Sequence, residues 1–259
     1  MAKTITFKET KALQAFEGSI RTLNQHIQLV DRSLLIANKI VKKDAKSKLI
    51  CEALGCTVDT HPQLNVPCSS IDISRVYTTS RKKIHEQAIV DLYRFFSRYI
   101  KDLIEEFMHT DPMPLLQQVC GNKDNTINYA KIISIGDYGK IIEFMANSIF
   151  RKFENERSTT KLLDKILSYT KINIDSEVKE NVLLYLEIRH LIIHNRSLAD
   201  DNFMTKANGK LTIHANKKLP INYEMSSSAI KKVCELCRLI DKELVANHMV
   251  RERCIVHNK

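Results

Sequence analysis

The chain has no tryptophan, and only six glycines and five prolines in 259 residues. Folds built from many short strands need a steady supply of turn residues, so this scarcity argues against sandwiches and small barrels. No apolar run approaches the ~18 residues a membrane span requires, and Met1 to Lys8 carries no apolar stretch of the signal-peptide kind. A cytoplasmic protein is expected. Its seven cysteines, odd in number and scattered, read as reduced thiols and not as a disulfide framework. The glycine-rich phosphate loop, the dinucleotide fingerprint and the serine nucleophile elbow are all missing. Nucleoside-triphosphate hydrolysis, dinucleotide binding and serine-hydrolase chemistry therefore have no motif behind them.

What is present is helical material with an excess of positive charge. Forty Lys and Arg stand against thirty Asp and Glu, giving a formal charge of +10. That excess is spread along the chain, and it points to a phosphate-rich partner or to a cationic but unspecialised surface. Leu13, Phe16, Ile20, Leu23, Ile27, Val30 and Leu34 recur at three- and four-residue steps, which predicts a long helix over 9–41. A shorter helix over 45–54 is expected to end at Gly55, followed by a loop over 56–79. Ile84, Ala88, Leu92, Phe96, Tyr99, Leu103 and Phe107 mark a second long helix over 80–108. Shorter helices are expected over 115–119, 127–135, 140–153 and 160–169, the last capped by Ser158 or Thr159. Then come 176–194, a loop with a small hairpin around Asn208-Gly209 and Lys210 to His214, and a closing helix over 227–247. The fold class is all-α. Three segments are expected: an N-terminal helical extension and loop (1–79), a helical domain (80–247) and a polar C-terminal tail (248–259).

The helix over 176–194 is apolar on nearly every side, yet Glu187, Arg189, His190, His194, Asn195 and Arg196 crowd its end. Ionisable groups in an apolar helix are costly, so they mark either a satisfied polar network or a functional site. At 100° per residue Glu187, His190 and His194 share a side, while Arg189 points elsewhere unless the helix end unwinds. A helix end whose Arg and His serve only stability is the plainer alternative.

Arg189 to Arg196 resembles the Arg-x4-6-His signature of the HEPN superfamily, with His190 at the polar position after the arginine. The resemblance is to HEPN domains of the RiboL-PSP-like kind and covers about residues 80–247; 1–79 has no counterpart in it. It implies a HEPN-like helical bundle carrying a metal-independent endoribonuclease site shared by two chains of a homodimer. Arg189 and His194 would be the catalytic residues, with His190, Asn195 and Glu187 in support. RNA would be the substrate and no cofactor would be needed. It further implies a microbial toxin or anti-phage defence effector, with a cognate antitoxin or defence partner. The chemistry suits the residue types: attack by a 2′-hydroxyl needs proton transfer, which imidazole supplies near neutral pH, and a fixed cation beside the phosphorane. A non-catalytic module binding RNA, a nucleotide or a protein is the alternative.

Weaker signals have plainer readings. Cys234 and Cys237, in a helical pattern without a second pair, read as small core residues, and the irregular spacing of Cys51, Cys56, His61 and Cys68 argues against a zinc site. His190 and His194 sit at chelating spacing, but no metal is expected there. Tyr93, Phe95, Phe96 and Tyr99, which can stack on bases, are expected in the core.

Overall fold

In the computed structural model, the structure describes residues 7–43, 48–70, 72–111, 129–155, 159–207, 209–211, 213 and 217–258. Nine helices account for most of them: α1 (Lys11–Lys43), α2 (Ile50–Leu54), α3 (Ile73–Thr110), α4 (Tyr129–Ile135), α5 (Tyr138–Asn155), α6 (Thr159–Thr170), α7 (Ser176–His194), α8 (Asp201–Ala207) and α9 (Tyr223–Ala246). The all-α class holds. A single two-stranded antiparallel sheet among these residues pairs β1 (Phe7–Thr10) with β2 (Ile255–Asn258).

The spine is α3, a helix of 38 residues against which α1, α5, α7 and α9 pack. Its buried residues Ala88, Leu92, Phe96, Tyr99, Leu103 and Phe107 keep the expected spacing. The stripe on α1, from Leu13 through Phe16, Ile20 and Leu23 to Ile27, faces the same core. The α1 part of the segment expected as an N-terminal extension thus shares one hydrophobic core with the rest, while Val41, Ile50 and Cys68 form a small core of their own. Phe96 and Tyr99 are core residues as expected, and the Tyr99 hydroxyl donates to the Cys237 carbonyl at 3.1 Å. Cys234 and Cys237 are buried on α9, where burial pushes the Cys234 thiol up to about 11.

Several boundaries differ from the sequence expectation, each for a local reason. α3 begins at Ile73, because Asp72 caps it by accepting from the Arg75 amide at 3.0 Å. Part of the expected loop is therefore helix. α2 covers Ile50–Leu54 only, closed by Gly55 at φ 68°; 44–47 lie outside the described residues. The expected helix over 115–119 and the Ser158 cap also fall outside them. The region expected as loop and hairpin opens with α8, whose Phe203 amide is held by the Asp200 carboxylate at 2.8 Å. Of the alternating stretch Lys210 to His214, Thr212 and His214 lie outside the described residues, and Leu198 and Lys218 form an isolated bridge. The closing helix starts at Tyr223 instead of Ser227, on an Asn222 cap.

The segment expected as a polar tail carries β2 and is anchored to α3, while its partner strand β1 is anchored to α9. Arg251 makes a two-pronged ion pair with Glu106 of α3, at 3.0 and 2.7 Å. Asp241 of α9 accepts from both the amide and the hydroxyl of Thr10 at the end of β1.

Candidate active site

α7 opens on Asp175, which accepts from the Glu177 amide at 2.7 Å, and runs through Val182, Leu183, Leu184, Tyr185, Leu186, Ile188 and Leu191, all buried. The chain itself covers this helix, through α3, α6, α8 and α9. The all-round apolar character is thus satisfied within one chain and gives no packing argument for a second copy. α7 reaches solvent at its first turns, where Ser176, Glu177 and Glu180 are exposed, and again near its end, where Ile193 is 45% exposed.

The helix does not unwind before His194, since the Asn195 amide still donates to the Leu191 carbonyl at 3.0 Å. Arg189 and His194 therefore leave the axis about 140° apart, at 100° per residue. Arg189 turns toward α3, where its guanidinium lies 4.9 Å from the centre of the Tyr93 ring. His190 and His194 share another face, with ring centres 4.7 Å apart and a 42° tilt. Glu187 pairs with Lys206 of α8 at 3.2 Å. Asn195 caps the helix, and its side-chain amide donates to the Leu198 carbonyl at 2.9 Å. The expected cluster thus separates into an arginine on one side and two imidazoles on another, with Glu187 and Asn195 engaged in the framework.

Beyond the helix, Arg196 and Ser197 take left-handed backbone angles, φ 51° and 62°. Such angles are uncommon without glycine and persist where surroundings enforce them. Here the Ser197 amide donates to Leu191, its hydroxyl donates to Glu86 of α3 at 2.7 Å, and its carbonyl accepts from Leu219 at 2.8 Å. The turn is pinned to α3.

Arg189 opens onto a cavity of about 600 Å³ between α3 and α5. Arg94, Arg98, Lys101 and Arg189 line it together with Tyr93, Phe150 and one acid, Asp102. Asp91 offsets Arg94 at 3.1 Å, and Asp102 lies 4.0 Å from Arg98, so a surplus of positive charge remains. Burial pushes the Asp102 carboxyl above the usual carboxylate range, against the pull of Arg98 and Lys101. The Arg189 Nε is buried with no hydrogen-bond partner. Leaving such a donor unmade costs about 1–3 kcal/mol, a cost that an anion's oxygen would remove.

Of this lining only Arg189 is a candidate in the sequence; Tyr93, expected in the core, is half-buried beside the Arg189 guanidinium, and Arg94, Arg98, Lys101 and Asp102 are additions of the structure. Their signal is that Arg94, Ser97, Arg98 and Lys101 gather on the face of α3 opposite its apolar stripe. Among the described residues no group of three or more His, Cys, Asp and Glu is placed to hold a metal ion. The Cys51 thiol meets the His61 carbonyl at 3.5 Å, and Cys68 is buried in a small core beside α2. No helix among them is long and apolar enough to cross a membrane. Comparison with protein-family models, with curated proteins and with solved structures returned no match for this chain.

Proposed function

We propose that this chain is a metal-independent endoribonuclease of HEPN type, in which Arg189 grips a substrate phosphate and His194 moves the proton. The observation that carries this reading is the buried, partnerless Nε of Arg189, a residue that lines a cavity carrying four cations against one acid. An arginine held over a tyrosine ring with a donor to spare is prepared for a phosphate oxygen. The separation of Arg189 from His194 about the helix axis favours a homodimer, in which His194 of one chain faces the Arg189 cavity of the other. His190 beside His194 provides a second imidazole for proton traffic. Asn195 and Glu187 act by holding the helix end. The resemblance of Arg189 to Arg196 to the HEPN signature extends the proposal to a cytoplasmic toxin or defence effector with a cognate partner.

A second reading, a module that binds RNA, a nucleotide or a protein without cutting, is favoured by that same angular separation if the protein is a monomer. The deciding experiment incubates purified protein with total RNA in EDTA. Cleavage to ends bearing 2′,3′-cyclic phosphate is expected, with loss in Arg189→Ala and His194→Ala proteins of unchanged circular dichroism. Mixing the two inactive variants should restore part of the activity, since a mixed dimer retains one intact composite site. A shift in mobility without cleavage selects the binding module. Full cleavage by a monomer removes the shared site.

A further inference from the structure

A second cavity, of about 490 Å³, lies near the start of α3, where the helix meets the start of α9. Tyr77, Thr78, Arg81, Lys82 and His85 contribute from α3, and Asn222, Tyr223 and Glu224 from the segment entering α9. Its charges nearly cancel. Arg81 is paired with Asp31 of α1, Lys82 lies 3.6 Å from Glu86, and Glu224 stands in the lining itself. Where the Arg189 cavity has cation to spare, this one presents rings. The Tyr77 ring has the Arg81 guanidinium 5.5 Å from its centre, and Tyr223 stands edge-on to His85 at 6.0 Å while 54% exposed.

His85 is 2% exposed, and its hydrogen bonds fix its tautomer. The Ser226 hydroxyl donates to the Tyr223 carbonyl at 3.1 Å, so its oxygen accepts from His85 Nδ1 at 3.0 Å. The second ring nitrogen of His85 is thereby an acceptor. Asn222 uses its side-chain oxygen to cap α9, accepting from Met225 at 2.9 Å, which leaves its amide protons to donate. Aromatic faces, one acceptor and one donor suit a planar heterocycle with polar edges, and a nearly neutral lining does not suit a phosphate.

At 100° per residue the α3 positions that line this cavity, between 77 and 85, are centred on nearly the opposite side of the helix from those between 90 and 102 that line the Arg189 cavity. His85 and Ser97 lie about 18 Å apart along the axis at 1.5 Å per residue. Between them the Ser197 hydroxyl meets Glu86, so the turn that follows His194 crosses α3 midway.

We propose that the cavity between Tyr77 and Tyr223 is a subsite for one unpaired nucleobase of a single strand. The subsite rests on the nuclease reading for its strand but not for its own chemistry. The test therefore uses 2′-O-methyl oligonucleotides, which lack the attacking hydroxyl, and reads affinity by fluorescence anisotropy. Tyr223→Ala is expected to weaken binding about tenfold, the loss of one stacked base, and Tyr223→Phe to restore it. Replacing one base at a time with an abasic unit should identify a single position at which wild type falls to the Tyr223→Ala level. His85→Gln, which keeps a polar group at this buried place, and Tyr77→Ala on the exposed side provide variants independent of Tyr223. Wild-type affinity in both tyrosine→Ala variants overturns the subsite, as does failure of the wild type to bind any oligonucleotide. Cleavage unaffected by the tyrosines overturns the subsite and leaves the nuclease standing. Tyrosine-dependent binding without cleavage upholds the subsite and removes the nuclease.

Discussion

Asp241 and Arg189 are both charged side chains set among apolar helices, and they are treated in opposite ways. Asp241 is 1% exposed, and Thr10 supplies a donor to each of its oxygens, the amide at 3.0 Å and the hydroxyl. Arg189 has a tyrosine ring beneath it, a cavity in front and a buried Nε with no partner. A polar network that is fully satisfied holds a fold together; one left unsatisfied is a cost the fold carries for something outside itself. The first is a clamp and the second is a socket.

The largest expected effect separates them by activity. Arg189→Met keeps the packing against Tyr93 but removes the cation, so RNA cleavage should fall about 10²–10⁴-fold while stability in urea stays level or rises by about 1 kcal/mol. Near-wild-type cleavage by a folded Arg189→Met protein breaks the contrast. Asp241→Ala should do the reverse. It strands the two donors of Thr10, so a loss of about 2–3 kcal/mol in urea melts is expected, with unchanged cleavage per folded molecule.

A smaller effect tests the charge around the socket. RNA affinity should fall steeply with salt, and Lys101→Ala should weaken it across sequences and reduce the slope of log affinity against log salt by about one. Equal slopes in wild type and variant would place Lys101 outside the phosphate path.

The smallest effect concerns the second cavity. Burial, with Arg81 adding to it and Asp31 opposing, holds the His85 imidazole below its ordinary 6.5. The unfolded chain therefore binds the proton first, and stability falls as pH drops through about 6.5 until the folded imidazole also protonates. His109, likewise lowered by burial, contributes with the same sign. The difference between wild type and His85→Gln isolates the His85 share, and coincident profiles from pH 7.5 to 5 would show that it has none.

The sequence made the helices legible wherever an apolar stripe and a cap coincide. α7 runs over the expected 176–194 because Asp175 and Asn195 bound it. α3 starts seven residues before the expected 80, because Asp72 caps it and the apolar spacing of Ile73, Val76 and Tyr77 is interrupted by Ser80 and Arg81 before Ile84. α8 is helix where a loop is expected, its start depending on the Asp200 cap. Arg189 and His194 stood out as chemistry in an apolar helix, yet the face each would take depended on whether the helix end unwound. The cavities were beyond reach, because one joins α3 to α5 and the other joins residues 77–85 to 221–224, and no local pattern announces that pairing.

The pairing of Phe7 with Asn258 has a consequence for the order of assembly. A chain made from its N-terminus can lay α1 on α3 early, since both lie in the first 110 residues. β1 then waits, Thr10 included, until α9 and β2 have been made. The amide and hydroxyl of Thr10 meet Asp241 only at that point, so closure of this lock marks completion of the described chain. A nascent chain that stalls before α9 would carry a docked α1 with an open strand edge at its start, a segment free to pair elsewhere.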